Sequence, residues 1–170
     1  MIFVAIGANL PDGRGRPPAV TCREAGTALA ALPGLRLHAI SPWYVTAPVP
    51  PGPQPDYLNG VAALVGTIDP GDLLRRLLAI EARAGRVRNG PNGPRVLDLD
   101  IIAMDGTVRQ SPDPVLPHPR MHERAFVLRP LCDLAPGWRH PLLGRTAAEL
   151  LTSLSPQAIR PAQARAPCHP

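Results

Sequence analysis

The chain contains no lysine: all 18 basic residues among its 170 are arginine. That excludes a phosphate loop of the Gly-Lys-Ser/Thr kind and a Schiff base on a lysine amine. Aromatic residues are scarce, two each of Phe, Tyr and Trp, which is poor equipment for stacking successive bases of RNA on a sheet. The three cysteines, Cys22, Cys132 and Cys168, are too few and too scattered for a disulfide framework or a Cys-built zinc site. A reducing cytoplasm is the expected setting. No apolar run reaches the length of a membrane span, and the opening Met1-Ile2-Phe3-Val4-Ala5-Ile6-Gly7 has no basic leader, so it reads as a buried strand rather than a signal peptide. The net charge is +5, but the arginines are spread along the chain rather than gathered into a tail or stripe. Neither nucleic acid nor membrane is expected as a partner. Small-molecule substrates and a monomer are.

What the chain does have is proline at 24 positions and a 45% share of hydrophobic residues, ample for one core in one domain. Residues 2–6 read as a strand and 7–13 as a turn-rich loop. Residues 18–32 read as a helix closed by Pro33-Gly34, and 35–44 as a strand. Five prolines between Thr46 and Pro55 preclude helix or central strand there. The strongest strand pattern runs over 57–68. Asp69-Pro70 then opens a helix to about Ala84, with Leu73, Leu77 and Ile80 toward the core. A strand ending near Met104, a proline-punctuated connector over 112–119, a helix over 122–129 stopped by Pro130 and a last helix over 146–154 complete the chain. From Ser155 there is little to bury, and a weakly ordered tail is expected after a domain of residues 1–154. The order β α β β α β predicts an α+β, ferredoxin-like split βαβ: an antiparallel sheet, helices on one face, and extra C-terminal helices.

The most informative run is Pro94-Arg95-Val96-Leu97-Asp98-Leu99-Asp100-Ile101. Side chains on a strand alternate, so Leu97, Leu99 and Ile101 share one face and Asp98 and Asp100 the other. Two carboxylates about 7 Å apart on one strand face repel unless something positive joins them. A hard cation such as Mg²⁺ takes carboxylate and phosphate oxygens together. Arg86, Arg88 and Arg95 just upstream suit phosphate recognition. The plainer alternative is a solvated edge strand. Tyr57 and Asn59 sit two apart on a strand, a ring to stack and an amide to read the edge of a flat heterocycle. A core tyrosine beside a turn asparagine is the plainer reading. Arg124 and Phe126 would share a face only in extended chain. His118 and His122 have the i, i+4 spacing of a metal pair, but Pro119 interrupts it, and His118 with Arg120 and Arg124 fits phosphates better.

Four blocks, in order, resemble the 6-hydroxymethyl-7,8-dihydropterin pyrophosphokinase family. They are Ile6-Gly7-Ala8-Asn9-Leu10; Gln54-Pro55-Asp56-Tyr57-Leu58-Asn59; Glu81 with Gly85 to Arg88 and Gly93 to Ile101; and Leu116 to Leu128, which contains His118-Pro119-Arg120-Met121-His122-Glu123-Arg124-Ala125-Phe126. The resemblance implies a ferredoxin-like fold and transfer of pyrophosphate from ATP to the pterin's hydroxymethyl group, with release of AMP. It further implies that Asp98 and Asp100 hold two Mg²⁺ ions, that Tyr57 and Phe126 sandwich the pterin, and that Asn59 reads its edge. Thr46 would line the pterin pocket. Arg86 and Arg95 would stabilise charge in transfer. Arg88, His118 and Arg124 would contact ATP, and Ile101 would flank adenine. Pro91-Asn92 stand where the family commonly carries Arg-Trp, and Leu78 where it often carries glutamine. An RNA-recognition domain, a nucleotidyl transferase releasing pyrophosphate, and a degenerate family member that binds pterin but turns over slowly because of the altered loop are the competing readings.

Overall fold

The computed structural model describes residues 1–48, 50–85 and 93–162. Six strands form one sheet: β1 (Ile2–Ala8), β2 (Leu35–Ile40), β3 (Tyr44–Thr46), β4 (Tyr57–Gly66), β5 (Asp98–Met104) and β6 (Ile159–Pro161). The path is β5-β1-β4-β3-β6, with β2 also on β4, and each pairing is antiparallel. Four helices, α1 (Pro18–Ala30), α2 (Pro70–Arg83), α3 (Ala125–Leu134) and α4 (Ala147–Thr152), pack on it. The split βαβ order is as the sequence predicts.

Alternation along β1 divides the core in two. Ile2, Val4, Ile6 and Ala8 face α1 and α2, meeting Cys22, Ala25 and Leu29 of the first and Leu73, Leu77 and Ile80 of the second. Phe3 faces the other way, into a second core with Val127, Leu128 and Leu131 of α3 and Ala147 and Leu150 of α4. The two helices of the split βαβ, α1 and α2, thus cover one face as expected, and the extra C-terminal helices, α3 and α4, pack on the other. Both faces are covered because α3 and α4 carry apolar stripes of their own that have to be buried. The second cover stops short, and the uncovered end of that face is where the site lies.

Four local departures from the sequence reading have physical causes. Gly7 and Ala8, read as loop, continue β1 because Asn59 and Leu58 of β4 pair with them. The strand expected over 35–44 is broken at Ser41-Pro42, where proline has no N–H to give. Ser41 spans the break, donating its N–H to the Val61 carbonyl and accepting the Val61 N–H on Oγ. Pro130 does not stop a helix but lies inside α3. Buried Val127, Leu128 and Leu131 on either side of it carry the helix through. The segment after Ser155, expected to be a weakly ordered tail, contributes β6, whose Ile159, Arg160 and Pro161 pair with Thr46, Val45 and Tyr44.

The outer edge of β5 is capped by side chain and connector rather than by another strand. Glu81, 1% exposed in the last turn of α2, accepts the Leu99 N–H at 2.7 Å. The His118 N–H donates to the Ile102 carbonyl at 2.8 Å. Across the sheet, β3 is fastened to α3 by the Tyr44 hydroxyl, which donates to Asp133 at 2.5 Å and accepts from Arg129 Nε at 3.2 Å. Removing that hydroxyl by Tyr44→Phe is expected to lower stability by about 1.5–3 kcal/mol, the range for a hydrogen bond to a charged group. Urea denaturation of the two proteins checks it.

Candidate active site

A cleft of about 550 Å³ opens over the uncovered end of the sheet. Its floor follows from strand register. Asn59 on β4 and Asp98 on β5 both stand opposite Gly7 on β1. The glycine is what keeps that row open, since a Cβ there would lie 2.9 Å from Asn59 Oδ1. In the next row Asp100 stands opposite Ala5. Asp98 and Asp100 both line the cleft, while Leu99 between them is buried against the helices. The two carboxylates therefore project from the same side of β5, as the alternation predicts.

Around that floor the structure brings together Thr46, Tyr57, Asn59, Arg95, His118, Arg124 and Phe126. Asn59 is 7% exposed and donates to the Thr46 hydroxyl at 2.8 Å, so both side chains are pre-set. Phe126 comes from the first turn of α3, and Arg124 precedes it in extended conformation. The Arg124 guanidinium stacks 5.5 Å above the Phe126 ring, so the pair does share a face. Ile101 is not brought in: its side chain is 4% exposed and packs in the core beneath α1 and α2. The His118–His122 pair is not formed either. His118 lines the cleft, whereas His122 packs edge-on to His140 at 5.9 Å. Arg86 and Arg88 lie outside the described residues.

The charges explain each other. Burial, then the charge of Asp98, pushes the Asp100 carboxyl up to about 6, against the pull of Arg124 and Arg95. A site that resists a second negative charge is one that gains from a cation. Arg95 meets Asp98 at 2.5 Å. Burial lowers the affinity of Arg124 for its proton, Arg120 adds to this, and the two aspartates oppose it. Among the described residues no third His, Cys, Asp or Glu completes a metal cluster. The donor set fits a hard cation whose other ligands come from phosphate and water.

Several contributors carry little sequence signal. Asn9, 2% exposed, donates through Nδ2 to Gln54 Oε1 and the Pro55 carbonyl, and its Oδ1 accepts the Arg95 N–H at 2.8 Å. Its backbone N–H and that of Leu10 both donate to the Arg95 carbonyl. The Tyr57 hydroxyl donates to the Gly93 carbonyl at 2.9 Å and lies 3.1 Å from Gln54 Oε1. One asparagine thus ties β1 to the segments on both sides of the cleft. In the sequence it is marked only by its place in the Ile6-Gly7-Ala8-Asn9-Leu10 block.

His118 Nδ1 accepts the Arg120 N–H at 3.1 Å, which leaves the proton on Nε2 and makes the uncharged ring a donor. Burial, then the nearby Arg124, holds its pKa down at about 4 against an ordinary 6.5. A histidine depressed in the folded state favours folding above 6.5, and that contribution is lost as pH falls from 6.5 through 4. NMR titration of the ring is expected to show it neutral at pH 5.5, with stability in urea declining across the same window.

The family of 7,8-dihydro-6-hydroxymethylpterin-pyrophosphokinases matches residues 3–136. A Pseudomonas aeruginosa protein named 2-amino-4-hydroxy-6-hydroxymethyldihydropteridine pyrophosphokinase is 45% identical over 152 residues, 89% of this chain and 90% of its own. A Synechocystis protein of the same name is 40% identical, covering 78% of this chain and 68% of its own. The Schizosaccharomyces pombe folic acid synthesis protein fol1 is 35% identical over 93% of this chain, which spans 21% of that longer protein. Among solved structures, a Plasmodium falciparum HPPK-DHPS triple mutant superposes with a TM-score of 0.65 at 13% identity. It covers 89% of this chain, which spans 43% of it, and it speaks for the fold alone. With the matched blocks converging on one cleft, this chain belongs to the 7,8-dihydro-6-hydroxymethylpterin-pyrophosphokinase family.

Proposed function

We propose that the chain carries out its family's pyrophosphoryl transfer with Asp98 and Asp100 as the holders of Mg²⁺, ATP as donor and AMP as the leaving product. The acceptor is the hydroxymethyl group of 6-hydroxymethyl-7,8-dihydropterin, and the reaction serves folate biosynthesis. The observation that carries the residue assignment is the row Asn59–Gly7–Asp98. It sets a heterocycle-reading amide and a cation-holding carboxylate two strand spacings apart, about 10 Å, on one floor.

Each side chain then has a role. The pterin lies between the rings of Tyr57 and Phe126, with the Asn59 amide and the Thr46 backbone at its edge. Arg124 and His118 contact phosphates, and Arg95 stabilises charge as the bond to AMP breaks. Magnesium, when bound, would neutralise the triphosphate and polarise its oxygens. No protein nucleophile is required. The pterin hydroxyl is held in line with the β-phosphorus, so positioning and electrostatics dominate. Arg86 is proposed to stabilise charge in transfer and Arg88 to contact ATP, and the backbone of Ile101 to flank adenine, since its side chain is turned away. A monomer is consistent with the few large apolar side chains left exposed among the described residues, Met1, Val108, Leu142 and Leu143. The free thiols of Cys22 and Cys132 suit a reducing cytoplasm. Among the described residues no helix is long and apolar enough to cross a membrane.

Purified chain incubated with ATP, Mg²⁺ and the reduced pterin alcohol is expected to release AMP, and chelation of the metal to stop it. Release of pyrophosphate instead would show a nucleotidyl transferase. Asp98→Ala and Asp100→Ala should each lower kcat by about a hundredfold or more without loss of cooperative unfolding. Gly7→Ala should raise the pterin KM by about tenfold with a smaller effect on ATP. A methyl there presses the Asn59 amide away from Thr46, and losing one such contact costs about 1–1.5 kcal/mol. Steady-state kinetics with each substrate varied distinguishes the two.

A further inference from the structure

Nothing in the reaction as assigned uses the chain beyond α4, yet Gln157 lines the cleft. Both ends of its side-chain amide are engaged. Oε1 accepts the Ala125 N–H at 2.9 Å, and Nε2 donates to the Glu123 carbonyl at 2.8 Å. These two backbone groups flank Arg124. Gln157 grips that residue from both sides, much as a neighbouring strand grips a residue in a β-ladder. The Ala125 N–H is also one of the donors that a helix cannot satisfy internally. Arg124, at the N-cap position of α3, makes no side-chain cap bond. The amide of Gln157 serves that first turn instead, beside the Arg124–Phe126 stack.

Gln157 is in turn anchored to the opposite wall. Two residues on, Ile159 pairs with Thr46, and Arg160 and Pro161 pair with Val45 and Tyr44. The Ala162 N–H donates to the Trp43 carbonyl at 2.8 Å, and Arg160 lies 3.7 Å from Asp56. The segment 157–162 therefore bridges the wall that carries Thr46 and Asn59 to the wall that carries Arg124 and Phe126. The Tyr44–Asp133–Arg129 contacts join the same two walls, but through residues about one and two turns further along α3.

We propose that Gln157 is a positioning residue. By clamping the backbone on either side of Arg124 it sets how far the Phe126 ring and the Arg124 guanidinium stand from Thr46 and Asn59, and so the fit of the pterin and of the phosphates joined to it. This rests on the roles given to those four residues under the proposed function. Gln157 is then part of the active site through the backbone it clamps, and the strand that follows it serves as its anchor.

The test compares full-length Gln157→Ala, Gln157→Glu and Arg160→Ala with the unaltered chain. Arg160 sits on the same strand, and its ion pair with Asp56 is exposed and adds little to the strand's hold, so its variant is a control that alters the segment while leaving the clamp and its anchor intact. Gln157→Ala is expected to speed exchange of the Ala125 amide by tenfold or more in NMR and to raise the pterin KM by about tenfold, the equivalent of one net hydrogen bond. Gln157→Glu keeps the acceptor and loses the donor, so Ala125 protection should survive while the pterin KM rises by less. Arg160→Ala should match the unaltered chain in both. Should Gln157→Ala fail to unfold cooperatively, Gln157→Glu carries the same judgement through its KM. Unchanged kinetics in both Gln157 variants, or an equal loss in Arg160→Ala, overturns the inference. An unaltered chain that releases no AMP overturns the proposed function and this inference with it. Normal turnover of the unaltered chain beside indifferent Gln157 variants overturns this inference alone.

Discussion

The pairing of β1 with both β4 and β5 is the constraint on which the site rests. β1 runs between the strand that carries Asn59 and the strand that carries Asp98, and a single residue of it, Gly7, stands opposite both. A slip of one residue on either side would turn one of these side chains into the helix-covered core. The register is held by that core. Ile2, Val4 and Ile6 on one side of β1 and Phe3 on the other are each almost wholly buried, so no shifted pairing keeps them all from water. Packing energy far from the chemistry thus fixes where the chemistry happens.

On that floor the electrostatics are deliberately unbalanced. Two aspartates stand together in a half-buried setting, and arginine is the only strong base the chain has to set against them. Arginine delivers its charge through a rigid planar fork that does not deprotonate. Arg95 takes Asp98, while Arg124 stays stacked over Phe126 with Arg120 close enough to oppose its charge. Beyond that one pair, the cations and anions share the cleft without forming a further ion pair among the described residues. Such a cleft suits the metal-borne phosphates of the proposed reaction.

The sequence made some of this legible and hid the rest for physical reasons. Periodicity of two put Asp98 and Asp100 on one face because both Leu99 and Ile101 needed burial. The helices over α1 and α2 were readable from caps and apolar spacing. What could not be read was pairing that has no pattern in the pairing segment itself. Ile159-Arg160-Pro161 is too short and too polar to announce a strand, and it becomes one only because β3 offers a free edge. Ser41 passes the ladder across a proline with its hydroxyl, which no propensity encodes. Ile101 was drawn toward the nucleotide by family resemblance, yet its place in the alternation already sent its side chain into the core. The polar hubs, Asn9 and Gln157, gain their importance only from residues 45 or more and 32 or more positions away in the chain.

The asparagine at the end of β1 has a mechanical consequence. One planar amide reaches Gln54 and Pro55 with its nitrogen and Arg95 with its oxygen, and all three bonds need the same rotamer. If that side chain turns, both rims of the cleft lose their tether together. Displacing either rim from β1 therefore breaks bonds made by the same side chain, a hinge pin of one residue's width.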